Sequence, residues 1–172
     1  MFAIDLVLFE EPLQQLQDLC LAHKLLVSTA ESCTGGLLSA LLTHRPGSSG
    51  FFLGGVNAYA NDIKSRVLGV PELDLQMFGA VSLEVASSMA SGVQNLFQSQ
   101  FSSSVTGVAG PGGGTAQKPV GLVCFGWSNP QQTTFQSHLL SGSREEIRAQ
   151  SCKIALTGLL QRVQAYVQKE VS

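Results

Sequence analysis

The sequence predicts an α/β fold in which a mixed β-sheet lies between helices in three layers. Three observations carry that expectation. Strand-like and helix-like segments alternate through most of the chain, two strand-like segments then follow one another across a tight turn, and 172 residues are enough for one domain with its own core. Alternating βα units favour parallel neighbours and a hairpin gives antiparallel ones, so the sheet is expected to be mixed. No internal repeat or linker interrupts the pattern, and residues 1–172 are read as a single domain.

In chain order, Leu13, Leu16, Leu19 and Cys20 recur at helical spacing and predict a first amphipathic helix from Glu10 to about His23. Leu25 to Thr29 is short and apolar and reads as a buried strand. Thr34 is placed to cap a helix over residues 35–44, which the PGSSG segment at Pro46 to Gly50 ends. A second strand is expected from Phe51 to Tyr59, then a short helix capped by Asn61 and another that Pro71 begins and Gly79 ends. From Ser82 to Phe97 the residues Val85, Met89, Val93, Leu96 and Phe97 share one face, the clearest helix of the chain. Strands follow at Ser103 to Val108, Val120 to Ser128 and Thr133 to Leu140, the last two joined by a turn at Asn129 and Pro130. Ser143 and Glu146 have capping-box spacing and open a long last helix carrying Ile147, Ile154, Leu159, Val163 and Val167.

Composition excludes several classes of function. With 44% hydrophobic and 13% charged residues, the chain is too apolar for disorder, and some of its apolar surface is expected between subunits. The net charge is -2 and Lys and Arg form no stripe, so nucleic acid is not an expected partner. Cys20, Cys33, Cys124 and Cys152 are scattered singly, without a C-x-x-C pair or a Cys/His ligand set. They read as reduced thiols, which argues for the cytoplasm and against structural zinc. The N-terminal MFAIDLVLFEEPL lacks a basic leader, and no run approaches the roughly 20 apolar residues of a membrane span.

The segment TAESCTGG places Ser32 between a strand and a helix, beside amides that have no partner within the helix and can stabilise an oxyanion. Gly35 and Gly36 let a ligand approach the backbone there, and their amides are the expected oxyanion donors. Lys64 falls in the first turn of a helix, where the dipole favours the neutral amine, and burial would favour it further. A neutral lysine can accept the proton of a serine that is not nucleophilic on its own. Tyr59, at a strand end just before it, can relay that proton or donate to the oxyanion. Each residue alone reads as a capped helix start, a surface lysine or a packed tyrosine; only the three together make a catalytic set.

The segment VTGVAGPGGG, with Gly112 and Gly113 near its end, joins a strand to a loop whose small residues can expose amides to an anion. It is neither a P-loop, since Gln117 precedes Lys118 and Pro119 follows, nor a complete G-x-G-x-x-G. Arg144 and Arg148, one turn apart at the start of the last helix, can pair with a phosphate. Cys33 is the alternative nucleophile, but no histidine adjoins it in sequence. His23, His44 and His138 read as surface or packing residues, and Glu31 as a buried acceptor that orients the turn.

In order, TAESCTGG, PGSSGFFLGGVNAYANDIK, LGV, FGAVS, VTGVAGPGGG and KPVG resemble the C-terminal domain of the CinA family from about Leu25 to the last helix. The resemblance implies the fold of that domain, in its stand-alone form, and a nicotinamide-nucleotide amidase that hydrolyses nicotinamide mononucleotide to nicotinate mononucleotide and ammonia in pyridine-nucleotide salvage. It implies Ser32 as nucleophile with Tyr59 and Lys64 assisting, and Ser49, Thr106 and Arg144 as further substrate contacts. It also implies a homo-oligomer, and neither cofactor nor metal. The family's TYSNEAK is replaced by residues 58–64, AYANDIK, and its GDR by Gly142, Ser143 and Arg144. Those departures keep two alternatives open: a nucleotide-binding or regulatory module without turnover, and an amidase for a different nucleotide amide.

Overall fold

A computed structural model describes residues 5–171, with the side chains of residues 5–169. The first four residues of the N-terminal segment read above lie outside the described residues. Five strands, β1 (Val27–Glu31), β2 (Phe52–Asn57), β3 (Phe101–Gly107), β4 (Leu122–Ser128) and β5 (Thr133–Leu139), form one sheet in the order β2-β1-β3-β4-β5. β1 is parallel to both β2 and β3, whereas β3, β4 and β5 are antiparallel neighbours. The α/β class and the mixed sheet are therefore as expected, and the helices cover both faces.

One face carries α1 (Val7–His23), α2 (Leu37–Leu42) and α6 (Arg144–Val171), which bury Phe9, Leu16, Leu38, Leu156 and Leu159 against Val27, Val105, Phe125 and Trp127. On the other face, α3 (Asn61–Leu68), α4 (Glu72–Met77) and α5 (Leu83–Phe97) enclose a smaller core of Ala30, Ala58, Leu68, Val85, Met89 and Val93. The predicted boundaries shift by a few residues. α1 begins three residues before Glu10 because Phe9 is drawn into the core, and Pro12 is accommodated inside the helix. β1 runs two residues beyond Thr29 because β2 and β3 pair it on both sides out to Glu31.

Of the caps expected at Thr34, at Asn61 and at Ser143 with Glu146, the last forms and the other two do not; Ser82 adds one that was not expected. Ser82 Oγ accepts from the Val85 amide, and Ser143 and Glu146 bond reciprocally to each other's backbone amides. Thr34 does not cap α2, whose N-cap is Gly36, and Asn61 lies inside α3, whose N-cap is Ala60.

The α5 face is held by hydroxyls as much as by apolar packing. Alternate residues of β3 point the same way, and Ser102 and Ser104 donate to the carbonyls of Ala90 and Ala86, one helical turn apart on α5. Small side chains let α5 lie close to the sheet and to α3. A Cβ on Gly126 would overlap the Ala86 carbonyl, and one on Gly92 the Leu68 carbonyl. Among the described residues no helix is long and apolar enough to cross a membrane.

The clearance at Gly92 sets two effects against each other. Alanine raises helix propensity by about 1 kcal/mol over glycine. Here its methyl must push α3 from α5, and overpacking of that kind costs about 1–3 kcal/mol. Gly92→Ala is expected to lower the urea midpoint of unfolding; a raised midpoint would show that the helices are not in close contact.

Candidate active site

β1 leads into α2 on one face of the sheet, whereas β2 leads through α3, α4 and α5 on the other face to β3. The chain thus parts on either side of β1, and a crevice opens beyond the carboxyl ends of β1 and β3, where ligands bind in open α/β sheets. Ser32 is the first residue past β1. Its amide donates to Val105 O at 2.9 Å and the Glu31 carbonyl accepts from the Ala58 amide at 2.7 Å, so the turn is held from both neighbouring strands.

Glu31 fixes the turn from beneath. Its buried carboxylate accepts from the amides of Gly36 (3.0 Å), Leu38 (3.0 Å) and Ser39 (2.7 Å), and from Ser39 Oγ (2.7 Å). An anion here satisfies the orphan amides of α2 and sits at the favourable end of its dipole. This is the capping role that the sequence suggested for Thr34, whose buried hydroxyl has no partner among the described residues.

Lys64 projects from α3 into the same space and is only 1% exposed. Its Nζ lies 3.1 Å from Ser32 Oγ, 2.8 Å from Ala58 O and 3.3 Å from Tyr59 O, and among the described residues no carboxylate pairs with it. Burial pushes its pKa below the usual lysine range. A neutral amine has two N–H groups and one lone pair. Two carbonyls to receive the N–H groups leave the lone pair for the serine O–H, 3.1 Å away.

Ser32, Tyr59, Lys64, Thr106, Gly112, Gly113 and Arg144 line one cavity of about 260 Å³. Arg144 Nη1 donates to Gly110 O at 2.8 Å, and its other N–H groups remain for a ligand. The amides of Ala109, Gly110, Gly112 and Gly113 donate to no oxygen among the described residues. Those of Cys33 and Thr34, directly after Ser32, are likewise without an oxygen partner.

Several expectations need correction. The amides of Gly35 and Gly36 are already engaged, by Ser32 O at 3.1 Å and by the Glu31 carboxylate, so they are not the oxyanion donors. Tyr59 meets Lys64 through its backbone carbonyl; its side chain is 64% exposed and makes no bond to Ser32 or Lys64, so no phenol relay forms. Thr106 Oγ1 donates its single proton to Ala80 O at 2.7 Å and has none left for a phosphate. Arg148 donates to Thr34 O at 2.6 Å and braces the Ser32 turn from outside the cavity. Ser49 lies in the turn before β2, at the opposite end of the parallel strands from Ser32.

The cavity also takes in Asn61, Ala80 and Val81, which carry no sequence signal beyond their nearness to Lys64 and to the FGAVS segment. Cys33 is buried, and desolvation pushes its thiol up to about 12, so it is a protonated thiol at neutral pH. His138, on the edge strand β5, packs edge-on against Phe125 of β4, far along the sheet from Ser32. Among the described residues no three His, Cys, Asp or Glu side chains gather as a metal-ligand group.

The lowered lysine makes stability depend on pH. The unfolded chain holds this proton up to about 10.5, whereas the folded chain releases it earlier, so between the two values the unfolded state binds more protons. Stability therefore rises with pH across that window, and the penalty for burying the charge is fully present below it. Lys64→Met removes the titrating group. The urea midpoint of the wild type, measured relative to this variant, is expected to climb as pH is raised towards 10.5; a pH-independent difference would contradict the burial argument.

The sequence profile of the CinA C-terminal domain matches residues 10–163. The chain is 41% identical over 159 residues to a CinA-like protein of Leptospira biflexa, covering 92% of this chain and 38% of that protein. It is 50% identical over 121 residues to a CinA-like protein of Leptospira interrogans, covering 70% and 29%. It thus spans about a third of the length of these curated relatives. Among solved structures, a competence/damage inducible protein from Agrobacterium tumefaciens superposes with a TM-score of 0.87 at 39% identity, over 94% of this chain and 97% of that one. A CinA superfamily protein from Escherichia coli gives a TM-score of 0.86 at 31% identity, over 94% of each chain. With the motifs of the site, the profile and the fold in agreement, this chain belongs to the CinA C-terminal domain family.

Proposed function

We propose that the chain is a serine amidase acting on a nicotinamide nucleotide, converting nicotinamide mononucleotide to nicotinate mononucleotide and ammonia. The observation that carries this reading is the 3.1 Å approach of Lys64 Nζ to Ser32 Oγ, at a buried position where charge is disfavoured. Lys64 takes the proton of Ser32 as Oγ attacks the carboxamide carbon. The tetrahedral oxyanion is received by the amides of Cys33 and Thr34, which replace the two glycines first considered, and one such donor is typically worth about 3–4 kcal/mol.

Protonated Lys64 then gives its proton to the departing nitrogen, ammonia leaves, and Ser32 carries the acyl group. Water, deprotonated by the regenerated amine, releases the acid and frees Ser32. Tyr59 takes part through its carbonyl, which holds the amine in place at the cavity wall. The phosphate would meet the unpartnered amides of the glycine loop and the remaining N–H groups of Arg144.

The steps call on no metal or cofactor. Under the same reading the chain works in the cytoplasm and has neither nucleic acid nor membrane as partner. It works as a homo-oligomer, for which exposed Leu73 and Met77 on α4 and Phe135 and Leu139 on β5 supply apolar surface.

Purified protein is expected to release ammonia from nicotinamide mononucleotide. Ser32→Ala should lose at least roughly 10³-fold in kcat, since the nucleophile itself is removed. Cys33→Ala, which removes a protonated buried thiol, should keep activity. Retention of turnover by Ser32→Ala, or its loss only in Cys33→Ala, would overturn the assignment.

A further inference from the structure

The glycine loop, residues 108–121, is held at its ends by backbone bonds, from Val108 N to Leu122 O at 2.8 Å and from Gly121 N to Val108 O at 2.7 Å. Between them residues 111–117 are exposed. Thr115 and Lys118 close a local turn, with the Thr115 amide donating to Lys118 O and the Lys118 amide to Thr115 Oγ1. Among the described residues two side chains hydrogen-bond this loop to the rest of the protein. One is Arg144, which donates to Gly110 O. The other is Lys118, whose ammonium donates to the carbonyl of Phe78.

Phe78 opens the connector from α4 to α5, which supplies Ala80 and Val81 to the cavity wall. The connector's ends are held by α4 and α5, the Phe78 amide donating to Asp74 O and the Val85 and Ala86 amides to Ser82, and its further bonds are few. Thr106 Oγ1 donates to Ala80 O, Ser82 Oγ donates to Gly79 O at 2.9 Å, and Lys118 takes the carbonyl at its start. Gly79 has φ +72° and leaves room for the lysine, since a Cβ there would stand 2.7 Å from Nζ. The cavity thus has two walls without regular secondary structure, and one ammonium joins them.

We propose that Lys118 is a positioning residue that couples the glycine loop to the residue 78–82 connector, so that both walls are ordered before a phosphorylated substrate binds. The identity of the substrate rests on the amidase reading; the coupling of the two segments does not. Ordering the loop in advance removes part of the entropy that binding would otherwise lose, so its effect falls on affinity. Ser32 and Lys64 are held by β1, β3 and α3, not by Lys118, so the chemical step is left alone.

The test uses Lys118→Met, Lys118→Arg and Gly79→Ala, each in the full chain. Lys118→Met is expected to raise KM for nicotinamide mononucleotide roughly tenfold, the scale of one lost hydrogen bond to a charged group, with kcat within about twofold of wild type. Lys118→Arg, whose guanidinium can reach the same carbonyl, should restore most of the loss. Gly79→Ala should raise KM as well, and the double variant should be less impaired than the sum of the two, because both disturb one contact. A fall in kcat at unchanged KM, no change in either, or strict additivity would overturn the proposal.

Amide hydrogen exchange tests the coupling without turnover. In Lys118→Met, the bonded amides of both segments, those of Thr115 and residue 118 in the loop and of Phe78 and Val85 at the ends of the connector, should exchange faster than in wild type while β1 and β3 keep their protection. Acceleration confined to one segment, or absent from both, would overturn the proposal even for a protein that released no ammonia. If coupled acceleration occurred in such a protein, the amidase reading alone would fail.

Discussion

An amine enclosed by protein, with two carbonyls and one hydroxyl as its neighbours, is the constraint around which the site is organised. A charged lysine would need an anion or water to offset its lost hydration, and the carbonyls of Ala58 and Tyr59 supply dipoles only. The equilibrium therefore moves towards the free amine, which is what a serine needs beside it. Without burial, Lys64 would be a cation with no lone pair to offer. Lacking the two carbonyls, it would have no reason to turn that lone pair towards Ser32.

Holding this arrangement requires a rigid floor, and the sheet and Glu31 provide it. Ser32 is pinned by Val105 while the chain just before it is pinned by Ala58, so the hydroxyl is fixed between two parallel strands. Four donors converge on the Glu31 carboxylate and hold the first turn of α2 against the end of β1, with Arg148 bracing the carbonyl of Thr34 from α6. On the opposite face the close packing of α5 delivers the residue 78–82 connector to the cavity. Hydrogen-bonded strands and helix ends thus carry the reacting groups, and looser segments form the walls that meet substrate.

Much of this was legible in the sequence because it follows from local chemistry. The strand-turn-helix at TAESCTGG, the glycine-rich loop and the capping box at Ser143 and Glu146 are short-range patterns, and the ordered motifs around Lys64 carried the family. What could not be read depended on where side chains end up. Glu31 displaced Thr34 as the cap because its longer side chain folds back under the turn. Gly35 and Gly36 looked like open amides until that carboxylate and Ser32 O engaged them. Tyr59 looked like a phenol near a lysine, but alternation along the extended chain directs its ring outward and leaves its carbonyl facing in. Ser49 is close in sequence to β2 yet lies at the wrong end of the sheet, a distance that only strand direction reveals.

The protonation state of Lys64 tests the central claim most directly. In protein carrying ¹³C-labelled lysine, the Cε resonance of Lys64, assigned by its disappearance in Lys64→Met, can be followed through a pH titration. The account predicts a transition below the ordinary lysine value of 10.5, set apart from the surface lysines. A resonance that titrates with those surface lysines would show a charged amine facing Ser32 at neutral pH, and the proposed activation of the serine would be contradicted.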